Sequence, residues 1–202
     1  LNGIFGLLNL IEDTELSGEQ KQYLGMIKNS SETLFTLIKD ILDYTAVEEE
    51  TLMLENTPFD LMQVIDKIIE IFSPSAKSKG LIFHSMFLWK DPQLLVSDES
   101  RIYKILFSFM NNAIKFTSKG EVGIIIECLE SLPSAVRFKI HVTDTGKGIP
   151  DPQKNIVFSL FSQLDSTTTR EYGGLGLGLA LCKKIIHLMN GEIGFESSEG
   201  KG

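Results

Sequence analysis

The sequence predicts an α+β protein, in which an antiparallel helical hairpin precedes an α/β sandwich with a mixed, mainly antiparallel sheet. Residues 1–50 repeat apolar side chains at three- and four-residue steps and contain no proline, which is typical of helices. Segments with helical spacing and segments with two-residue alternation then follow one another. Two glycine-rich clusters, at residues 144–149 and 173–178, interrupt this later part and predict a glycine-lined pocket.

Composition limits the class of protein. The chain has 202 residues, 43% of them hydrophobic and 23% charged, which fits one globular domain or a domain with an appendage. A formal charge of −8, without a dense stripe of Lys and Arg, argues against a nucleic-acid partner. No apolar run approaches the ~20 residues of a membrane helix. Cys128 and Cys182 lie far apart in apolar surroundings and are expected to be free thiols in a reducing, cytoplasmic environment.

The first 50 residues are predicted to form two helices. The polar segment 12–18 separates them, and Ser17 is a candidate N-cap for the second helix. A short connection predicts antiparallel neighbours. Because such a pair buries little apolar surface alone, we expect either a four-helix bundle with a second copy of the chain or packing against the remaining residues. Bundle geometry favours the homodimer.

Residues 51–59 are predicted to form a linker, because Pro58 would stop a continuous helix. Residues 60–202 would then form the second domain, while residues 1–50 form the hairpin. The pattern after residue 58 predicts helices at Phe59–Ser73, from an Asp98 cap to Phe116 and at Leu177–Met189, and strands at Leu81–Leu88, Glu121–Leu129, Arg137–Asp144 and Glu192–Ser197.

The strand that ends at Asp144 places a carboxylate at the end of an apolar row. Alternation puts the apolar side chains of residues 138–142 on the same face as Asp144. An unpaired carboxylate is costly there, so this acceptor needs a donor, and the exocyclic amine of a purine is a candidate. Gly146 and Gly148 lack a Cβ and would let a ligand approach the backbone closely. A β-turn with a capping Asp explains these residues equally well when they are taken alone.

The helix that ends at Phe116 carries a polar stripe within its apolar surface. The stripe consists of Arg101, Lys104, Ser108, Asn112 and Lys115. A solvated face is the usual meaning of such a stripe. A carboxamide oxygen at Asn112 is, however, a suitable ligand for Mg²⁺, and Lys115 could balance phosphate charge. The glycine clusters favour this second interpretation.

Residues 150–172 are predicted to form a mobile lid. The segment is long and polar, lies between glycine-rich ends and carries Phe158 and Phe161 near its start. Thr169 and Arg170 belong to its polar part, and Arg170 would add positive charge.

The second glycine cluster opens the last predicted helix. Gly174, Gly176 and Gly178 precede or begin it, and the amide groups at a helix N-terminus form an anion site suited to phosphate. An ordinary surface loop accounts neither for three glycines nor for their position.

At these residues the chain resembles the catalytic core of sensor histidine kinases, especially the hybrid kinases of two-component signalling. Residues 112–117 look like the N box of that family, residues 144–149 the G1 box, Phe158 with Phe161 the F box, and residues 174–179 the G2 box. The resemblance covers essentially the whole chain. It implies the GHKL-type ATP-binding fold shared with Hsp90, DNA gyrase and mismatch-repair ATPases, preceded by a dimerisation and histidine-phosphotransfer hairpin.

The resemblance also implies roles for individual residues. Asp144 would bind the adenine amine, Asn112 the Mg²⁺ ion and Lys115 the phosphates, with Ser108 and Lys115 supporting catalysis. The other implied nucleotide contacts lie in the boxes and the lid: Phe116, Gly146, Gly148, Ile149, Phe158, Phe161, Thr169, Arg170, Gly174, Leu175, Gly176, Leu177 and Gly178. ATP and Mg²⁺ are the implied cofactors.

The chain departs from the family pattern in several places. Leu1 would directly follow the family segment that carries the phosphoacceptor histidine, and the 3 histidines present are expected to be structural, so the acceptor is expected outside these residues. Ser108 stands where the family commonly has a second Asn. Leu175 replaces the usual Thr or Ser, which would weaken phosphate contact. The family continues into a final strand beyond the position of Gly202.

One main function and two alternatives follow. The main prediction is an ATP-binding kinase core that transfers the γ-phosphoryl group to a histidine and then to a receiver-domain aspartate. It would be a homodimer through residues 1–50, with the receiver of a response regulator or of the same hybrid protein as partner; the printed residues alone should bind nucleotide without autophosphorylating. An ATPase of the chaperone or topoisomerase type would need a water-activating carboxylate near Ser108. A degenerate core that relays conformation with weak or no ATP binding agrees with Ser108 and Leu175.

Overall fold

The structure is a computed structural model that describes residues 2–89, 94–132, 134–160 and 176–202. Within these ranges the chain forms helices, strands and one short 3₁₀ helix. In chain order they are α1 (Asn2–Glu12), α2 (Gly18–Glu48), β1 (Thr57–Phe59), α3 (Leu61–Ser78), β2 (Ile82–Leu88), β3 (Leu95–Ser97), α4 (Glu99–Phe116), β4 (Glu121–Leu132), β5 (Ala135–Asp144), the 3₁₀ helix (Asp151–Ile156) and α5 (Gly178–Leu188). None of these described helices is long and apolar enough to cross a membrane.

The hairpin of α1 and α2 confirms the predicted helical pair. Ser17 begins α2 with a capping box, in which its Oγ accepts from the Gln20 amide at 3.2 Å and the Gln20 side chain accepts from the Ser17 amide at 2.9 Å. Phe5 of α1 meets Phe35 of α2 edge to face, with ring centroids 6.2 Å apart. The cap fixes where α2 starts, and the aromatic pair helps to hold the two helices side by side.

The main sheet is mixed, as predicted, with the strand order β2-β4-β5. β2 runs parallel to β4, and β4 runs antiparallel to β5, so that Val122 lies opposite Asp144. A second, two-stranded sheet joins β1 and β3, which the sequence patterns do not predict. Pro58 lies in β1, where this small ladder tolerates a residue without an amide hydrogen.

The core lies between one face of the main sheet and the helices α3 and α4. The alternating residues Val122, Ile124 and Ile126 of β4 are at most 1% exposed. Apolar side chains of α3 and α4 cover them at helical spacing: Leu61, Val64, Ile65, Ile68, Phe72, Ala76, Ile102, Leu106, Met110, Ala113 and Ile114. Burial of this apolar area is the main stabilisation of the domain. It also holds the C-terminal end of α4 beside the end of β5.

One predicted helix boundary and one predicted strand are wrong. Helix α3 does not stop before Pro74 but continues to Ser78, because Ala76 is completely buried in the core and Gly80, at φ 70°, completes the C-terminal turn. The strand expected at Glu192–Ser197 is absent: within the described residues this segment forms no ladder. Side-chain contacts hold its end instead, since Ser197 accepts from the Ile149 amide at 2.8 Å.

The end of α2 packs against the second domain. Ile105, Leu181, Cys182 and Ile185 form a small buried cluster on α4 and α5, and Tyr44 and Val47 of α2 pack against it. Of the two expectations for the hairpin, packing against the rest of the chain is therefore observed at this end.

Charged side chains surround that apolar contact. Lys104 lies 2.8 Å from Asp40 and 2.5 Å from Asp43, and Arg101 lies 2.9 Å from Asp43. Lys184 pairs with Glu48 as well. Arg101 and Lys104, the two members of the polar stripe that were not predicted as site residues, therefore bind the hairpin.

Candidate nucleotide-binding site

Helix α4 carries the candidate site, and the residue that caps its N-terminus is firmly anchored. The Asp98 carboxylate is 3% exposed and accepts from the amides of Arg101 at 3.0 Å and Glu55 at 3.1 Å, and from the Ser100 hydroxyl at 2.8 Å. Burial alone would raise the pKa of Asp98, but these hydrogen bonds outweigh it and hold the pKa below its ordinary value. The predicted cap is confirmed, and it also ties the linker to α4.

Ser108, in the middle of α4, faces the start of α5. Its Oγ lies 3.2 Å from the position that a Cβ on Gly178 would occupy. It also hydrogen-bonds the thiol of Cys182, whose pKa burial raises to about 11 against the opposing effect of that bond. The structure therefore brings Ser108 and Gly178 together. Asn112 lies one turn further along α4 and is half-buried.

The C-terminal end of α4 meets the turn that follows β5. The Lys147 amide donates to the Phe116 carbonyl at 3.4 Å. A Cβ on Gly146 would lie 2.5 Å from that same carbonyl oxygen, closer than side chains approach. Glycine at 146 is thus required by the contact between α4 and the turn. Here the approaching group is the backbone of α4.

The other side of the turn contacts the segment after α5. Gly148 has a φ of 64°, and a Cβ there would lie 2.1 Å from the Ser198 carbonyl oxygen. The Gly200 amide donates to the Lys147 carbonyl at 2.7 Å. Ile149 is half-buried, and its amide donates a hydrogen bond to the Ser197 hydroxyl, which continues this contact. The turn is therefore held between two backbone segments.

Within the described residues, one carboxylate oxygen of Asp144 accepts a hydrogen bond and the other accepts none. The apolar residues of β5 before it pack on the core, so Asp144 ends an apolar row as predicted. Its Oδ1 accepts from the Gly146 amide at 2.9 Å. No hydrogen bond to Oδ2 is found from the described residues, although a carboxylate can accept several. The turn-capping interpretation is therefore observed at Oδ1, while the ligand-accepting interpretation would concern Oδ2.

Two lysines converge on the Phe116 ring. Lys115 Nζ lies 4.9 Å and Lys147 Nζ 5.0 Å from its centroid. Burial lowers the pKa of Lys115, and the charge of Lys147 lowers it further. Among the described residues, no ion pair with a carboxylate involves Lys115. Lys147 is not among the site residues predicted from the sequence, although it lies within the glycine motif at residues 144–149.

The remaining predicted contacts fall into two groups. Phe158 lies edge to face with Phe195, at 5.7 Å between centroids, and beneath the Lys183 ammonium. Gly176 has a φ of 69°, and Leu177, 3% exposed, immediately precedes α5. The other predicted contacts lie outside the described residues, as does the part of the predicted lid from residue 161 to residue 172. These contacts are Phe161, Thr169, Arg170, Gly174 and Leu175.

Two protein families match the chain. Residues 97–202 match the family described as "Histidine kinase-, DNA gyrase B-, and HSP90-like ATPase". Residues 1–50 match the "His Kinase A (phospho-acceptor) domain". The first match covers the site described above, and domains of that family bind ATP. The second covers the hairpin, which in this family is a dimerisation domain.

Curated relatives match over the whole chain. Hybrid signal transduction histidine kinase L of Dictyostelium discoideum is 40% identical over 100% of the chain. Sensor histidine kinase GacS of Pseudomonas protegens is 37% identical, also over 100% of the chain. The chain spans only 12% and 22% of the lengths of these two relatives.

Solved structures of histidine kinases share the fold. Full-length ShkA in complex with AMPPNP superposes with a TM-score of 0.75 at 29% identity, over 98% of this chain and 40% of that one. ThkA in complex with the response regulator protein TrrA superposes with a TM-score of 0.57 at 25% identity, over 93% and 50% of the two chains. With the family matches and the glycine-lined site, these likenesses show that the chain belongs to the histidine kinase-, DNA gyrase B- and HSP90-like ATPase family and is the catalytic core of a two-component sensor histidine kinase.

Proposed function

We propose that the chain binds ATP with Mg²⁺ between α4 and the turn at residues 144–148, and that the bound nucleotide donates its γ-phosphoryl group to a histidine. The observation that carries this proposal is the available Oδ2 of Asp144, which lies on the same carboxylate that orders the turn. An adenine amine would supply the missing donor. The family match and the AMPPNP complex of ShkA support the same nucleotide.

The residues around Asp144 fit a charged nucleotide. Lys115 is a partly buried cation without a carboxylate among the described residues, so phosphate oxygens would offset its charge. No group of three or more His, Cys, Asp or Glu in the described part of the chain could hold a metal ion. A Mg²⁺ ion here would therefore take most ligands from phosphates and water, with the Asn112 amide oxygen as a protein ligand. Ser108 would support the phosphate end beside Gly178.

The proposed transfer needs positioning more than covalent help from this domain. A histidine nitrogen would attack the γ-phosphorus, a P–N bond would form, and the P–O bond to ADP would break. Because ThkA was crystallised with a response regulator, we include passage of the phosphoryl group to a receiver aspartate in the proposal.

The hairpin is proposed to form a homodimer. Away from its docked end, α2 leaves a stripe of large apolar side chains at helical spacing exposed: Tyr23, Ile27, Leu34, Ile38 and Ile41. Such a stripe is costly in water and suits a four-helix bundle with a second copy. The HisKA match supports this arrangement.

A conformational relay with weak nucleotide binding is the second candidate. The contact between α2 and the helices α4 and α5 favours it, because this contact joins the hairpin to the nucleotide-site helix directly. Ser108 and Leu175, where the family has other residues, agree with it. Nucleotide affinity decides between the two functions.

Calorimetric titration with AMPPNP and Mg²⁺ tests the proposal. We expect micromolar binding by the unmodified chain and a loss of about 10- to 100-fold in Asp144→Asn, since a hydrogen bond to a charged acceptor is removed. Asp66→Asn, at an exposed position on α3, is the matched control and should bind normally. No binding by the unmodified chain at millimolar nucleotide would favour the relay.

A further inference from the structure

Lys147 lies at the proposed nucleotide site, although neither the composition of the chain nor the glycine motif around Lys147 assigns it a role there. Its ammonium group contacts the ring of Phe116, and so does that of Lys115. Phe116 is 36% exposed and so presents part of its surface beside both cations. Two positive side chains therefore meet at one aromatic ring in a chain whose formal charge is −8.

The backbone determines where the Lys147 side chain starts. The amide of Lys147 donates a hydrogen bond to the Phe116 carbonyl at the end of α4. The Lys147 carbonyl accepts a hydrogen bond from the Gly200 amide. The residues on either side are Gly146 and Gly148, and neither could carry a Cβ without meeting backbone oxygen at 2.5 Å or less. Lys147 is thus the one position between these two glycines that bears a side chain, and that side chain is fixed next to Phe116.

Two like charges at this distance from a common ring repel each other. The effect is visible at Lys115, since the charge of Lys147 acts in the same direction as burial and lowers the pKa of Lys115. An anion placed between the two ammonium groups would attract both and offset their repulsion. A neutral ligand on the same ring would do neither.

We propose that Lys147 is a specificity-determining residue of the nucleotide site, which acts with Lys115 to favour nucleotides of higher phosphate charge. This inference rests on the proposed function and names how that site discriminates among its ligands. Adenosine carries no charge for the lysine pair, AMP carries one phosphate, and ADP and ATP carry progressively more. The contribution of Lys147 should therefore grow along this series.

The test compares four ligands in four proteins. Adenosine, AMP, ADP and AMPPNP are titrated calorimetrically, with Mg²⁺, into the unmodified chain, Lys147→Gln, Lys147→Arg and Lys39→Gln. Lys39 is a matched control because it also lies over an aromatic ring, that of Phe35 on the hairpin, at 5.7 Å. Its loss removes the same charge and the same kind of contact away from the site.

We expect Lys147→Gln to weaken AMPPNP binding about three- to fivefold, the size of effect of an exposed ion pair. ADP and AMP should lose progressively less, and adenosine should bind unchanged. Lys147→Arg, which keeps the charge, and Lys39→Gln should match the unmodified chain for all four ligands.

Three results would overturn this inference while leaving the proposed function intact. They are an equal loss for all four ligands, tighter binding of all four, which would mean that Lys147 covers the base site, and no change with any ligand. If the unmodified chain binds none of the four, the proposed function itself fails.

Discussion

At the scale of single residues, the two glycines of the turn after β5 show how one sequence signal can have two causes. A glycine-rich motif predicts close approach by a ligand. In the structure, the groups that approach Gly146 and Gly148 are the carbonyl oxygens of Phe116 and Ser198. The glycines therefore shape the wall of the candidate site. The group proposed to contact a ligand is Oδ2 of Asp144, which accepts no hydrogen bond from the described residues.

Residue 148 requires glycine both because its φ is positive and because the Ser198 backbone lies close to it. Alanine substitution can separate these two causes. Gly148 and Gly200 both have positive φ, at 64° and 76°, but only Gly148 has backbone within 4 Å of the position of a Cβ. Gly200→Ala should lower the free energy of unfolding by about 1–2 kcal/mol, the cost of left-handed backbone for alanine. Gly148→Ala should cost about 1–3 kcal/mol more because of overpacking.

Denaturant unfolding of both variants measures these costs. Equal losses in the two proteins would show that the contact with Ser198 does not restrict residue 148.

At the scale of elements, α4 serves two partners along one polar stripe. Its first half binds α2 through Arg101 and Lys104, while Asn112 and Lys115 lie on the half that ends at the glycine turn. Spacing placed all these residues on one face correctly. Spacing could not predict which residues of this face bind α2 and which would contact a nucleotide, because a salt bridge and a phosphate contact require the same residue types. The sequence signal that could have predicted the docking of α2 on α4 is the pair of Asp40 and Asp43, three residues apart on α2.

The ion pairs between α2 and α4 should stabilise the docked hairpin measurably. Burial of Asp43 would raise its pKa, but hydrogen bonds and charge attraction from Lys104 and Arg101 outweigh it and lower the pKa. A double-mutant cycle of Asp43→Asn and Lys104→Met, followed by denaturant unfolding, should give a coupling free energy of about 1 kcal/mol at neutral pH. Since the pKa is lowered on folding, this coupling should be complete above the ordinary Asp value of 3.8 and lost as the pH falls below it.

The exposed pair of Lys67 and Glu99 provides the control for that cycle. Its side chains are 55% and 39% exposed, so its coupling should be close to zero at the same pH. Equal coupling in the two cycles would contradict a special contribution from the docked end of α2.

Element prediction succeeded where a local signal was strong. The candidate N-cap at Ser17, the cap at Asp98 and the alternation in β4 and β5 all predicted what the structure contains. The prediction failed at Pro74, since local preference stops a helix there while burial of Ala76 rewards its continuation. It also failed for β1 and β3, whose three-residue ladder is too short to show a period.

At the scale of the whole molecule, the hairpin has two different ends. One end of α2 is covered by α4 and α5, and the rest exposes an apolar stripe. The two expectations from the sequence are thus compatible, because docking and the proposed dimerisation would use different parts of α2.

The exposed stripe should set the oligomeric state. Leu34 is 49% exposed in the single chain, and Leu34→Glu would place a charge in the proposed bundle. We expect the unmodified chain to have the mass of a dimer in size-exclusion chromatography with light scattering, and Leu34→Glu to have the mass of a monomer. Leu129→Glu, on β4 and 55% exposed, is the control and should remain dimeric. A dimeric Leu34→Glu protein would place the interface elsewhere.

The sequence by itself determined the family-like motifs, the helical hairpin and the mixed sheet, and it predicted Asp144, Asn112 and Lys115 as site residues. These depend on local spacing and residue chemistry, which a sequence carries directly. Only the tertiary structure decided which oxygen of Asp144 is available, how the stripe on α4 is shared, and that Lys147 joins Lys115 at Phe116. Those facts depend on contacts between residues far apart in the chain, whose direction and distance no local pattern specifies.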